Sequence, residues 1–158
     1  MRLDHVVIPC FDAEATLAFY GETLGLPLIR ANEGDDWGGH PWLMMIFSIG
    51  DGREIVLVAL KGASAPANPL PADSRHYAFA VETPGELQSW RARLTEAGIA
   101  FDEEDHGEQA SIYFPDPAGN VLEITAPPST VPLTASPRCD GCREAMDRER
   151  LTRLAARA

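Results

Sequence analysis

Alternating or continuously apolar runs, broken by stretches with helical spacing, divide most of the chain twice over in the same order. Residues 3–9, rich in Val and Ile, carry the strand signature of β-branched side chains. Asp12 suits the N-cap of a helix over residues 13–24, with Leu17, Phe19, Tyr20 and Leu24 as its buried stripe and Gly25 as its stop. Strands are expected at 26–30, 42–48 and 53–60, with a polar, glycine-containing loop at 32–40 between the first two. Residues 61–73, rich in Pro and Ala, read as a linker.

The pattern then restarts. Residues 76–81 read as a strand, and Thr83-Pro84-Gly85-Glu86 as a capping-box start with proline at the first helical position. The helix should run to about residue 97 and stop at Gly98, with strands at 99–102, 110–114 and 121–125. Pro127, Pro128 and Pro132 open a tail that ends in a charged helix candidate over 143–158. In register, His5 aligns with His76, Leu24-Gly25 with Ala97-Gly98, and Ile46-Phe47 with Ile112-Tyr113. An internal repeat of this kind identifies which positions are structurally equivalent.

Composition narrows the functional classes. The chain has 158 residues, 45% of them hydrophobic, enough for a core that needs no disulfides. A net charge of -11 argues against nucleic acid or an anionic membrane as partner. No apolar run approaches the ~20 residues that span a bilayer, and the first residues lack the apolar stretch of a signal peptide. Three cysteines make no disulfide framework, so a reducing cytoplasm is the expected compartment. Cys139-Asp140-Gly141-Cys142 lacks the further ligands of a structural zinc site and reads as incidental, or as a loose metal site in the tail.

The repeat changes the weight of particular residues. His5 alone reads as readily as a strand histidine bonded to a neighbour, but His76 holds the equivalent place, and two first-strand histidines related by a pseudo-two-fold axis can converge. Glu123, between Leu122 and Ile124, is either a solvent-face carboxylate or a paired or ligating one, because an unpaired charge among apolar neighbours is costly. Two imidazoles and one carboxylate with open positions suit a divalent transition metal, Fe(II) above all, with Mn, Zn, Ni or Co as alternatives. Counting from the matching turn glycines, the counterpart of Glu123 is Val56, which cannot ligate; Glu54, two residues earlier, would enter only by a slipped register. Three ligands are therefore expected.

Three segments together resemble one family: Leu3-Asp4-His5-Val6-Val7-Ile8, Phe19-Tyr20 ahead of Leu24-Gly25-Leu26, and the stretch from Phe114-Pro115-Asp116-Pro117 through Gly119-Asn120 to Glu123. The resemblance is to the vicinal oxygen chelate superfamily of glyoxalase I, extradiol dioxygenases, fosfomycin-modifying thiol transferases and bleomycin-binding proteins, and it covers residues 2 to about 127. It implies an α+β fold of two βαβββ modules forming a curled mixed β-sheet around a metal site. The modules would be residues 1–60 and 74–127, joined by the linker 61–73 and followed by the tail 128–158. The metal ligands it implies are His5, His76 and Glu123. Homodimers are common in the superfamily, sometimes by exchange of modules, and a homodimer is expected here.

Within the superfamily, His106 and Tyr113 ahead of Glu123 resemble the extradiol dioxygenase signature, in which such residues handle the protons of a catechol and its oxygen adducts. A packed strand aromatic at Tyr113 and a solvated His106 in an acidic loop are the competing readings. Arg75-His76-Tyr77-Ala78-Phe79 resembles the thiol-transferase branch instead, but the acidic Asp105–Ala110 stretch would repel a phosphonate. Trp37, His40 and Trp42 are candidates for a pocket mouth suited to a planar small-molecule substrate, or are simply a surface and a core tryptophan. A metal-free binding protein on the same scaffold is the alternative from a different class.

Overall fold

A computed structural model describes residues 3–64, 71 and 74–127. The tail helix candidate, Cys139 and Cys142, and most of the linker lie outside the described residues. The order is β1 (His5–Cys10), α1 (Ala13–Leu17), a π-helical segment (Ala18–Thr23), β2 (Leu28–Trp37), β3 (His40–Ser48), β4 (Glu54–Leu60), β5 (His76–Ala80), α2 (Pro84–Glu96), β6 (Asp102–Asp105), β7 (Ala110–Pro115) and β8 (Val121–Ala126).

Local chemistry accounts for the helix ends. Asp12 Oδ1 accepts from the Ala15 N–H at 2.9 Å. Thr83 Oγ1 accepts from Glu86 N–H at 3.2 Å, while the Glu86 carboxylate reaches back to Glu82 N–H at 2.8 Å. Gly25 and Gly98 turn the chain out of each helix at φ of 71° and 69°, where a side chain would be strained.

The repeat is explicit in the topology. One four-stranded sheet has the order β1-β4-β3-β2 and the other β5-β8-β7-β6, each with a parallel pair followed by two antiparallel ones. In the first, His5 lies beside Glu54 and Val7 beside Val56; in the second, His76 lies beside Val121 and Ala78 beside Glu123. Val56 therefore holds the place of Glu123, and Glu54 that of Val121. The cross-strand pairs Ile46–Val56 and Tyr113–Glu123 make Ile46 the counterpart of Tyr113, one residue away from the alignment expected of Ile46 with Ile112.

Four expectations are corrected. The helix over 13–24 widens to π geometry from Ala18, and Leu17 is 42% exposed while Thr16 takes its buried place. The expected loop at 32–40 is mostly strand: β2 continues to Trp37 and turns at Gly38-Gly39. Its side chains are nearly all exposed, so backbone pairing to β3 carries it without an apolar alternation to announce it. The strand expected at 99–102 lies instead at Asp102–Asp105, a fully exposed acidic edge held by its ladder to β7. The remaining strands differ from expectation by one or two residues at their ends.

Both modules contribute one face to a single core. Ile8, Phe47, Ile55 and Leu57 from the first meet Ile112, Phe114, Leu122 and Ile124 from the second, with Leu87 and Leu94 of α2. Fully burying side chains of this size contributes about 1.5–3 kcal/mol each. Polar ties join the modules as well: buried Tyr20 donates to Asp116 Oδ2 at 2.9 Å, Arg93 Nη1 donates to the Leu24 carbonyl at 2.8 Å, and Asn120 Nδ2 to the Pro9 carbonyl at 3.1 Å. Ile46, Val56 and Val58, with Met44 and Leu60, form a separate small cluster.

Candidate metal centre

Strand alternation places the candidate ligands. Ile112, Phe114, Leu122, Ile124 and Ala126 enter the core, so Ser111, Tyr113, Val121, Glu123 and Thr125 stand on the opposite face of the second sheet, with His76 and Ala78 beside them on β5. Glu123 is only 3% exposed, which removes the solvent-face reading. Its Oε2 lies 2.9 Å from His76 Nε2. A buried carboxylate needs such a partner, since an unpaired one is expensive. Two donors each ~2.1 Å from one cation and at right angles to each other stand ~3.0 Å apart. The His76–Glu123 separation thus fits two adjacent positions in one coordination sphere, and the nitrogen–oxygen donor set suits Fe(II), Mn(II), Ni(II), Co(II) or Zn(II).

Tyr113 pairs with Glu123 across the β7–β8 ladder, and its ring meets the His76 ring edge-on at 5.6 Å between centroids. Partial burial and the Glu123 carboxylate push its phenol above the ordinary tyrosine range. His106 follows β6 in a tight turn, in which its N–H donates to the Gln109 carbonyl at 2.9 Å and Gly107 adopts φ of 79°. That turn brings His106 Nε2 to 3.0 Å from the Tyr113 hydroxyl and 3.7 Å from Glu104. His76, Glu123, Tyr113 and His106 therefore form one contiguous polar chain.

His5 is elsewhere. It lies on the corresponding face of the first sheet, half-exposed, with Nδ1 2.8 Å from Asp4 Oδ1. Among the described residues no group of three His, Cys, Asp or Glu side chains comes together. A single chain thus assembles two of the three expected ligands. Glu54 sits next to His5 in the ladder, with Arg30 Nη2 3.8 Å away, and the register shows no slip toward the Glu123 position.

The aromatic candidates lie on the β2–β3 hairpin. Trp37 is 46% exposed and packs edge-on against Trp42 at 5.7 Å, and His40 Nδ1 lies 2.9 Å from the Lys61 carbonyl oxygen. Trp42 covers Gly34 so closely that a Cβ there would stand 2.6 Å from its indole nitrogen. Two features went unnoticed in the sequence. Ser111 is fully buried on the face of Tyr113, and among the described residues the Thr125 hydroxyl across the ladder meets no hydrogen-bond partner. Asp116 does more than shape a turn: besides Tyr20, it accepts from Ala118 N–H and Asn120 N–H at 2.9 and 2.8 Å, fixing the approach to β8. The alternation of Ser111 and Tyr113 against Ile112 and Phe114 was the available signal for the first; the second joins residues 96 apart in sequence.

Comparison with known proteins agrees with this architecture. The family model described as Glyoxalase/Bleomycin resistance protein/Dioxygenase superfamily matches residues 2–124. The chain belongs to that superfamily. It is 30% identical over 124 residues to "Glutathione transferase FosA" of Serratia marcescens, covering 77% of this chain and 78% of that protein. It is 29% identical over 115 residues to "Catechol-2,3-dioxygenase" of Bacillus subtilis (strain 168), covering 72% of this chain but only 37% of that protein. Among solved structures, a glyoxylase/bleomycin resistance protein/dioxygenase domain from Frankia sp. EAN1pec superposes with a TM-score of 0.65 at 21% identity, covering 83% of this chain and 95% of that one. No helix among the described residues is long and apolar enough to cross a membrane.

Proposed function

We propose that the protein is a metal-dependent enzyme whose small substrate chelates the metal through two neighbouring oxygens, and that its reaction is an extradiol-type ring cleavage. The observation that carries this reading is the unbroken chain from the His76–Glu123 pair through Tyr113 to His106. His76 and Glu123 would hold the metal, Fe(II) by preference, which when bound supplies a Lewis acid with open coordination positions. Tyr113 stands beside His76 and Glu123, and His106 behind it. A proton leaving a substrate hydroxyl can pass to the Tyr113–His106 pair and return to product along the same hydrogen bond. The acidic strand β6 next to this pair disfavours anionic substrates.

The third ligand in this reading is His5 of a second copy. Its half-exposure and its distance from the other two within one chain support a homodimer in which the first module of each copy faces the second module of the other. Mixing His5→Ala and Glu123→Gln chains should then restore activity that neither has alone, because one site in each mixed dimer retains all three ligands. A thiol-transferase reading has one specific support, the similarity to the Serratia marcescens glutathione transferase over most of both chains.

Anaerobic loading with Fe(II), followed by a catechol panel in air, separates the readings. Coloured ring-opened product is expected. Oxygen-independent formation of glutathione adducts would replace dioxygenase by transferase. A protein that takes up none of Fe(II), Mn(II), Ni(II) or Zn(II) would leave only the binding-protein alternative.

A further inference from the structure

The two first-strand histidines meet carboxylates in different ways. His76 Nε2 faces the buried Glu123 carboxylate at 2.9 Å. No acid stands in that place for His5: Val56 occupies it, and Glu54, the ladder neighbour of His5, lies 3.8 Å from Arg30. His5 instead has Asp4 Oδ1 at 2.8 Å from its Nδ1, and among the described residues its ring has no other hydrogen-bond or ionic partner. An ionised carboxylate can only accept, so Nδ1 carries the proton, and in the neutral ring the lone pair is left on Nε2. Asp4 is itself held at the entry to the sheet, because its carbonyl accepts from the Glu54 N–H at 3.1 Å.

We infer that Asp4 is a positioning residue for His5: by accepting from Nδ1 it holds the ring in the tautomer and rotation that leave Nε2 to ligate. This rests on the metal reading through His5, and it holds whether His5 serves its own chain or a second copy. A half-exposed histidine without such a partner exchanges its proton between the two nitrogens and turns broadly about its last torsion. A carboxylate on the nitrogen remote from the metal removes both freedoms and makes the ligating nitrogen a better donor. The internal repeat separates this role from a demand of the fold. The residue before His76 is Arg75, so entry into the first strand requires no acid at this place. The Asp4 side chain is largely exposed, and its tie to the sheet runs through the backbone, so trimming the side chain leaves the ladder in place.

The test has one arm without metal and one with it. Long-range proton–nitrogen NMR of the metal-free full chain at about pH 8.5, where an ordinary histidine is neutral, reads the tautomer directly. Wild-type His5 should carry its proton on Nδ1, and Asp4→Ala should move it toward Nε2. A wild-type ring protonated on Nε2, or one that Asp4→Ala leaves unchanged, overturns the inference without touching the metal reading. In calorimetric titration with Mn(II), Asp4→Ala should bind about ten- to a hundredfold more weakly than wild type, and Asp4→Asn, whose amide oxygen still accepts from Nδ1, within about fivefold of it. Adding Asp4→Ala to His5→Ala should weaken binding by less than about threefold, because the residue it acts through is already gone. Unchanged affinity in Asp4→Ala, an equal loss in Asp4→Asn, or the full loss repeated in the His5→Ala background overturns the inference while the metal reading stands. Binding of Mn(II) by His5→Ala as tightly as by wild type, or no uptake by wild type, overturns both.

Discussion

The two modules share one topology and differ in almost everything their site faces carry. Each places a histidine at the start of its first strand, parallel to its last, yet the position that holds Glu123 in one holds Val56 in the other. The second module's face is a polar chain through His76, Glu123, Tyr113 and His106; the first module's is aliphatic around Val56, with His5, Glu54, Ser48, Arg30 and Asn32 at its border. Backbone geometry thus sets where a ligand can stand, and the side chain at that position decides whether it does.

The sharpest way to break this contrast is to remove the carboxylate from each side. Glu123→Gln should weaken Mn(II) affinity about a hundredfold or more, beyond the effect of losing an outer-shell partner, whereas Glu54→Gln should change it less than about threefold. Isothermal titration with Mn(II) reads both, and an equal loss in the two variants would mean that Glu54 is a ligand. Next in size, Tyr113→Phe should lower kcat by about 10²–10⁴ while metal content is kept, the signature of lost proton transfer in place of lost binding. Unchanged kcat would return Tyr113 to the packed aromatic of the competing reading.

Placing the missing carboxylate in the first module tests its apolar character. Val56→Glu buries a carboxylate among aliphatic neighbours and should cost about 3 kcal/mol of stability in urea unfolding without metal. Part of the loss should return with excess Mn(II), because His5 and residue 56 then repeat the geometry of His76 and Glu123. No loss at all would show that the face is open to water.

The smallest expected effect concerns the seam between the modules. Tyr20→Phe removes the hydroxyl that donates to Asp116, and should cost about 1–2 kcal/mol, since Asn120 Nδ2 still donates to the same oxygen at 2.9 Å. Burial and the Asp116 carboxylate hold the Tyr20 phenol well above its ordinary value. The stability it contributes is therefore complete below the unfolded value of about 10 and falls as pH rises above it, because the unfolded chain loses that proton first. Urea unfolding between pH 9 and 11 should show a shallower alkaline decline in the Phe variant than in the wild type.

Much of this molecule was legible in the residues alone. Strand and helix patterns, the caps at Asp12 and Thr83 and the stops at Gly25 and Gly98 are local, so short-range chemistry announces them. The repeat marks His5 and His76 as equivalent positions and sets Val56 against Glu123. What escaped was whatever depends on partners rather than neighbours. β2 beyond Arg30 and β6 are exposed edge strands held by backbone pairing, so no side-chain alternation reveals them. The one-residue shift that sets Ile46 opposite Tyr113 is decided by ladder register, and the Tyr20–Asp116 bond by the docking of one module on the other. Above all, the sequence determined that His5 and His76 occupy matching places in the two modules and that Glu123 has an apolar counterpart, Val56. Only the tertiary structure decided that His76 and Glu123 meet within a chain while His5 does not, because the two sheets turn their helix-side faces to a shared core and so keep His5 and Glu123 on the far faces of different sheets.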